Sequence, residues 1–222
     1  MDKLAIIHTT AITIEPLKAL AAELLPGWEV INFLDDSILP QLQRSGGDLE
    51  EVAGRWLQYV RFAEEAGAAA VLSACSSVGE LVPRAGAQVA VPVVRIDEAM
   101  AAQAVSRADH IGVAATIITT LQPTLRLLRQ KAEAAGRSVE LEPVLVDAAF
   151  QRLAAGDQEG HDRLLAEALA ALAARVEVVV LAQASMARVI PILPETVRGK
   201  FLSSPRLGME RVKETLERRG GE

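Results

Sequence analysis

The sequence predicts an α/β fold of two pseudo-symmetric domains, each a small, mostly parallel sheet flanked by helices, facing each other across a central cleft. Three observations predict it. Short apolar runs alternate with longer amphipathic stretches along the 222 residues, the pattern of parallel strands joined by crossover helices. LAIIHTTAITIEP (Leu4–Pro16) aligns without a gap on IGVAATIITTLQP (Ile111–Pro123), a shift of 107 residues. CSSVGELVP (Cys75–Pro83) aligns on QASMARVIP (Gln183–Pro191), a shift of 108. Two nearly equal shifts in the same chain order indicate an internal duplication. A weaker third correspondence pairs Gly27 with Gly136. The expected division is 1–97 plus about 203–222 for the first domain and 98–202 for the second.

The elements follow from the apolar pattern. In the first half, strands are expected at Leu4–His8, Glu29–Phe33, Ala69–Ser73 and Val91–Val94, with helices at Glu15–Leu25 and Asp48–Ala66. In the second, Ile111–Ala115, Val139–Val146, Val176–Leu181 and Lys200–Leu202 read as strands. Helices are expected there at Glu98–Arg107, Gln122–Ala135 and His161–Ala174, and a last one at Gly208–Arg219. Shorter helices should follow Cys75 and Gln183. Gly and Pro mark the boundaries in LLPGWE, VPRAGA, VPV, AAGRS and ILPE. DDSILPQLQRSGG and VDAAFQRLAAGD read as loops.

Composition narrows the function. Half of the residues are hydrophobic but only 3% are aromatic, so Ala, Leu and Val supply the packing. The net charge is −6 and the 23 Lys and Arg form no basic run, which argues against nucleic acid or an anionic membrane as partner. The longest apolar run, VEVVVLAQA, suits a buried strand rather than a membrane span. MDK passes straight into LAIIHTT with no export-signal pattern, and the single Cys leaves a free thiol; both suggest a reducing cytoplasm. No Cys/His ligand spacing, dinucleotide fingerprint or P-loop is present, so neither a metal nor a nucleotide site is expected.

The alternation places Thr9, Thr10, Cys75, Ser76, Ser77, Thr116, Thr119, Gln183 and Ser185 at strand tips or in the first turn of the next helix. Small hydroxyls and helix-start N–H groups together suit a small carboxylate. Cys75 at a helix start should have its thiolate stabilised and its pKa lowered towards neutrality; alternatively it is a small buried hydrophobe closing a strand. Gln183 cannot titrate, but it can donate two hydrogen bonds to an oxyanion; alternatively it caps nearby backbone. The Ser and Thr residues could hold a carboxylate or act as N-caps. His8 could be a second acid or base, or a hydrogen-bonded neighbour. His110 and His161 read as surface residues, and Asp35–Asp36 as a turn with an N-cap.

With these features the chain resembles the aspartate/glutamate racemase superfamily, which includes hydantoin racemases, arylmalonate decarboxylase and maleate isomerase. The carriers are IIHTT, VLSACSSVGE, VPVVRIDEAM, IGVAATIITT and VVVLAQASMARVIP, which span essentially the whole chain. The resemblance implies two facing α/β domains, no cofactor, and often a dimer, so a homodimer is an expectation. It also implies one Cys on each side of the substrate's α-carbon. Cys75 matches the first of those positions, and Gln183 stands where the second Cys is expected. Two-base racemisation requires one residue to remove the proton from one face and another to return it on the opposite face, so the Gln disfavours a simple two-thiol scheme. The resemblance then implies that Cys75 moves a proton at the carbon next to a carboxylate. Thr9, Ser76, Ser77, Thr116 and Thr119 would hold the carboxylate, with Gln183 and Ser185 on the planar enediolate. One-sided decarboxylation or cis–trans isomerisation through a thiol adduct are the alternatives within the family. Outside it stand a cytoplasmic small-acid binding protein, for which a raised Cys75 pKa would speak, and a Cys hydrolase, which would need a His base.

Overall fold

The computed structural model describes residues 2–220 and contains eight strands. In chain order it begins with β1 (Lys3–His8), α1 (Ile14–Leu24), β2 (Glu29–Leu34), α2 (Ile38–Arg44), α3 (Glu50–Glu65) and β3 (Ala68–Ser73). A 3₁₀ turn at Ser76–Leu81, α4 (Val82–Gly86), β4 (Val93–Arg95) and α5 (Glu98–Arg107) follow. Next come β5 (His110–Ala115), α6 (Ile118–Ala134), β6 (Glu140–Leu145), α7 (Asp147–Ala154), α8 (Gln158–Ala173) and β7 (Val178–Leu181). A 3₁₀ turn at Ala184–Ile192, α9 (Glu195–Arg198), β8 (Phe201–Ser203) and α10 (Ser204–Gly220) complete the chain.

The chain forms two compact units. One runs from the N-terminus to Asp97 and resumes at Pro205; the other is Glu98–Ser204. The strand orders match: β2-β1-β3-β4 in the first unit and β6-β5-β7-β8 in the second. All pairings are parallel. The duplication extends to single hydrogen bonds at the strand tips. Ala74 N–H donates to the Ile7 carbonyl at 2.9 Å, and Ala182 N–H to the Ala114 carbonyl at 2.9 Å. Gly27 and Gly136, each shortly after the helix that follows the central strand β1 or β5, take φ values of 90° and 64°, the left-handed conformation that favours glycine at a helix end.

Each sheet is buried on both faces, as parallel sheets require. In β1, Ala5 and Ile7 point into a core with Ile38, Leu42, Trp56 and Val60 from α2 and α3. Leu4 and Ile6 point the other way, onto Leu17 and Ala21 of α1 and Met209, Val212 and Leu216 of α10. That second layer ties α10 to the first unit. In the second unit Ala114, Val179 and Leu181 pack on Leu165, Leu169 and Leu172 of α8. Among the described residues, no helix is long and apolar enough to cross a membrane.

Several expectations are corrected. ILPQLQR forms α2, not a loop; Ile38 and Leu42, one turn apart, are buried, and Pro40 sits in the first turn, where it breaks no hydrogen bond. VDAAFQRLAAGD contains α7. Helix α6 begins four residues before Gln122, with Pro123 inside it. Helix α8 begins at Gln158, because the Asp157 carboxylate caps it by accepting from Gly160 N–H at 2.8 Å.

Candidate functional site

In the first unit, β1 and β3 end side by side and place Thr9 next to Cys75. Cys75 is extended (φ −140°, ψ 119°) and immediately precedes the 3₁₀ turn. Its sulfur is approached by the Thr9 hydroxyl, the Ser77 N–H and hydroxyl, and the Val78 N–H. Beyond the sulfur, the buried Thr9 hydroxyl has no hydrogen-bond partner among the described residues. Cys75 is only partly exposed and packs on the core that contains Val78 and Leu81.

The electrostatic expectation for this thiol is reversed. Burial pushes its pKa up, and the hydrogen bonds from Thr9, Ser77 and Val78 oppose this without overcoming it. Desolvation penalises the charged form, and a short 3₁₀ turn brings only a few N–H groups to bear. Cys75 at rest is therefore a protonated thiol, not a pre-formed thiolate.

In the second unit, β5 and β7 end in the same way, and Gln183 (φ −121°, ψ 132°) precedes the corresponding 3₁₀ turn. Its Oε1 accepts from Thr116 N–H at 2.6 Å and from the Thr116 hydroxyl at 3.0 Å. Thr116 thus stands to Gln183 as Thr9 stands to Cys75. The pairing also changes how Thr116 can act, because both of its donors are committed to the amide and neither is left for a carboxylate. Thr119, in the first turn of α6, is buried and its hydroxyl has no partner among the described residues. Ser185 lies on the turn after Gln183 and is partly exposed. Ser76 and Ser77 are buried in the turn after Cys75.

None of these Ser and Thr residues serves as an N-cap. The positions preceding the four tip helices are Thr10, Cys75, Ile117 and Gln183, and none makes a side-chain capping bond.

His8 is fully buried, with Nδ1 2.7 Å from Thr13 Oγ1 and Nε2 2.9 Å from Asn32 Oδ1. Burial lowers its pKa against the opposing Asn32 contact, so the ring is neutral near pH 7. With both nitrogens engaged, it has no free position from which to carry a proton. Of the residues that hold it, Thr13 lies in the repeated segment opposite Thr120, but neither its contact with His8 nor that of Asn32 had a sequence signal. His161 is corrected from a surface residue: it is buried, with Nδ1 2.7 Å from Asp162 and 3.2 Å from Arg188 Nη2. His110 is half-buried, with Nε2 3.3 Å from Glu142. Asp35 holds the expected turn by accepting from Ser37 N–H at 3.1 Å and the Ser37 hydroxyl at 2.5 Å. Among the described residues, no group of three or more His, Cys, Asp or Glu could hold a metal ion.

A family profile described as Asp/Glu/Hydantoin racemase matches residues 6–212. No curated protein matches the sequence significantly. Among solved structures, the chain is similar to a glutamate racemase isoform from Bacillus anthracis at 16% identity and a TM-score of 0.77, over 99% of this chain and 83% of that one. It is similar to allantoin racemase from Klebsiella pneumoniae at 20% identity and a TM-score of 0.65, over 99% and 89%. The aspartate racemase of Picrophilus torridus matches at 11% identity and a TM-score of 0.71, over 100% and 95%. At such identities the structural likeness shows the fold.

Proposed function

Because this chain belongs to the Asp/Glu/Hydantoin racemase family, we propose that it is a cofactor-independent isomerase-type enzyme in which Cys75 moves a proton at the carbon next to a small substrate's carboxylate. The observation that carries this reading is the matched pair of tip contacts, Thr9 on the Cys75 sulfur and Thr116 on the Gln183 amide oxygen. One unit presents a group that can exchange a proton. Its repeat counterpart presents an amide that cannot.

A neutral thiol at rest suits the donating half of the reaction. Cys75 gives its S–H proton to the carbanionic α-carbon, and the resulting thiolate is held by the Thr9 hydroxyl, the Ser77 N–H and hydroxyl, and the Val78 N–H. In the reverse direction the thiolate takes the α-proton, leaving an enediolate whose charge needs fixed donors. Gln183 Nε2 is assigned to that charge, since Oε1 is already occupied. Thr9, Ser76, Ser77, Thr119 and Ser185 are assigned to the substrate's oxygens. Thr116 and His8 are assigned to holding their neighbours in place.

The test is isotope exchange in deuterated water over amino acids, small di-acids, hydantoins and malonates. Deuterium should enter the α-position, and Cys75→Ala should abolish entry while leaving thermal stability nearly unchanged. Full activity in Cys75→Ala would refute the role. The Gln183 contact favours a second reading within the same chemistry, namely one-sided protonation, including decarboxylation of a malonate. Incorporation without inversion marks that case, and inversion marks racemisation. The raised thiol pKa is also what a binding protein would show; binding without isotope exchange on any of these acids would select that function.

A further inference from the structure

Arg95 closes β4, paired in register with Ser73 of β3. Its side chain is 8% exposed and that of Asp97 is 0% exposed. They meet as a two-point fork, Nε to Oδ1 at 2.5 Å and Nη2 to Oδ2 at 3.0 Å. The guanidinium also lies against Gly79, so closely that a Cβ built there would run into Nε, Cζ and Nη2. Gly79 belongs to the 3₁₀ turn Ser76–Leu81 and directly follows Ser77 and Val78, the two residues whose N–H groups face the Cys75 sulfur.

A buried ion pair is seldom worth more to stability than apolar side chains of similar volume. Here the pair sits directly behind the turn that carries the thiol's donors, and the turn lacks a side chain at the point of contact. We propose that Arg95, held by Asp97 and seated against Gly79, is a positioning residue that fixes the turn Ser76–Leu81 on the Cys75 sulfur. This rests on the reading of Cys75 as the acid/base, but it makes a claim that needs no substrate. Asp97 matches the guanidinium charge at two points, and the influences on the thiol are burial, Thr9, Ser77 and Val78. Arg95 therefore acts by contact, and its planar fork matters more than its charge.

Cys75 is the only cysteine of the chain, so alkylation by iodoacetamide reports on it alone. The rate is followed against pH in the full-length protein and in Gly79→Ala, Arg95→Lys and the double variant Arg95→Met/Asp97→Leu. With the turn displaced, the N–H groups of Ser77 and Val78 support the thiolate less. The pH midpoint then moves up and the rate at neutral pH falls about three- to tenfold, a tenfold fall being one pKa unit. Arg95→Lys is expected to behave like the apolar pair. A merely structural pair would lower the melting temperature and leave the midpoint in place. An unchanged or lowered midpoint in the folded variants overturns the proposal. So does failure of all three variants to fold, since the pair would then serve the fold itself. Shifted labelling in a protein with no isotope exchange would leave this inference standing and refute the catalytic one.

Discussion

Thr116 donates both its backbone N–H, at 2.6 Å, and its hydroxyl, at 3.0 Å, to the same oxygen of Gln183. A backbone N–H can only donate, so the atom it meets must be the amide oxygen. The orientation of Gln183 is thereby fixed, and its NH₂ group is turned away from Thr116.

Thr116→Val removes one of the two donors and keeps the shape of the side chain. The amide then loses one restraint, worth about 1 kcal/mol. Isotope exchange at saturating substrate is expected to fall about five- to tenfold, with the melting temperature within a few degrees of wild type. An unchanged exchange rate would remove Thr116 from the positioning of Gln183.

Gln183→Cys puts a second thiol at the repeat position of Cys75. If the amide is what keeps the chemistry one-sided, deuterium incorporation in the variant is accompanied by inversion. Chiral chromatography of the recovered acid measures this. Incorporation that remains free of inversion would show that the thiol's absence is not what limits the outcome.

The buried His8 predicts a pH dependence of stability. Its folded pKa is lowered chiefly by burial, with Asn32 opposing, so between the lowered and ordinary values the unfolded chain binds more protons. Its stabilising contribution is complete above the ordinary His value near 6.5. It declines as the pH falls below that value, until the folded pKa is reached. Urea midpoints should drop across this window in the wild type and drop less in His8→Gln. Parallel slopes for the two proteins would contradict a neutral buried ring.

Gly112 lies in β5, where an added Cβ would press on the Leu172 side chain of α8. Its repeat counterpart in β1 is Ala5, which has room for that methyl group. Gly112→Ala should therefore destabilise the protein by about 1–3 kcal/mol, as overpacking of a filled core does. Denaturant unfolding of the variant provides the check, and a neutral effect would mean that Leu172 can move aside.

The strand tips were legible in the sequence because the repeat is a repeat of backbone geometry. Leu4–Pro16 and Ile111–Pro123 align because both must end a central strand and start a helix beside a second strand. Helices α2 and α7 were missed because seven or eight residues give little periodicity, and Pro40 reads as a breaker unless the first turn is already located. The direction of the Cys75 pKa was misread for a different reason. The N–H donors can be inferred from a helix start, but the burial that outweighs them comes from a core that also draws on Ile38, Leu42 and Trp56, distant in sequence. The burial of His161 depends in the same way on Arg188, 27 residues further along the chain.

Helix α10 has a consequence for synthesis. Met209, Val212 and Leu216 fill one face of the first sheet, yet they are translated after the whole of Glu98–Ser204. In chain order the later-coded unit is complete while the earlier one still lacks a wall, leaving Leu4, Ile6 and Leu72 without their final cover until α10 has been made and docks. A chain truncated before Met209 should accordingly protect Glu98–Ser204 from protease and leave the N-terminal segment open to cleavage.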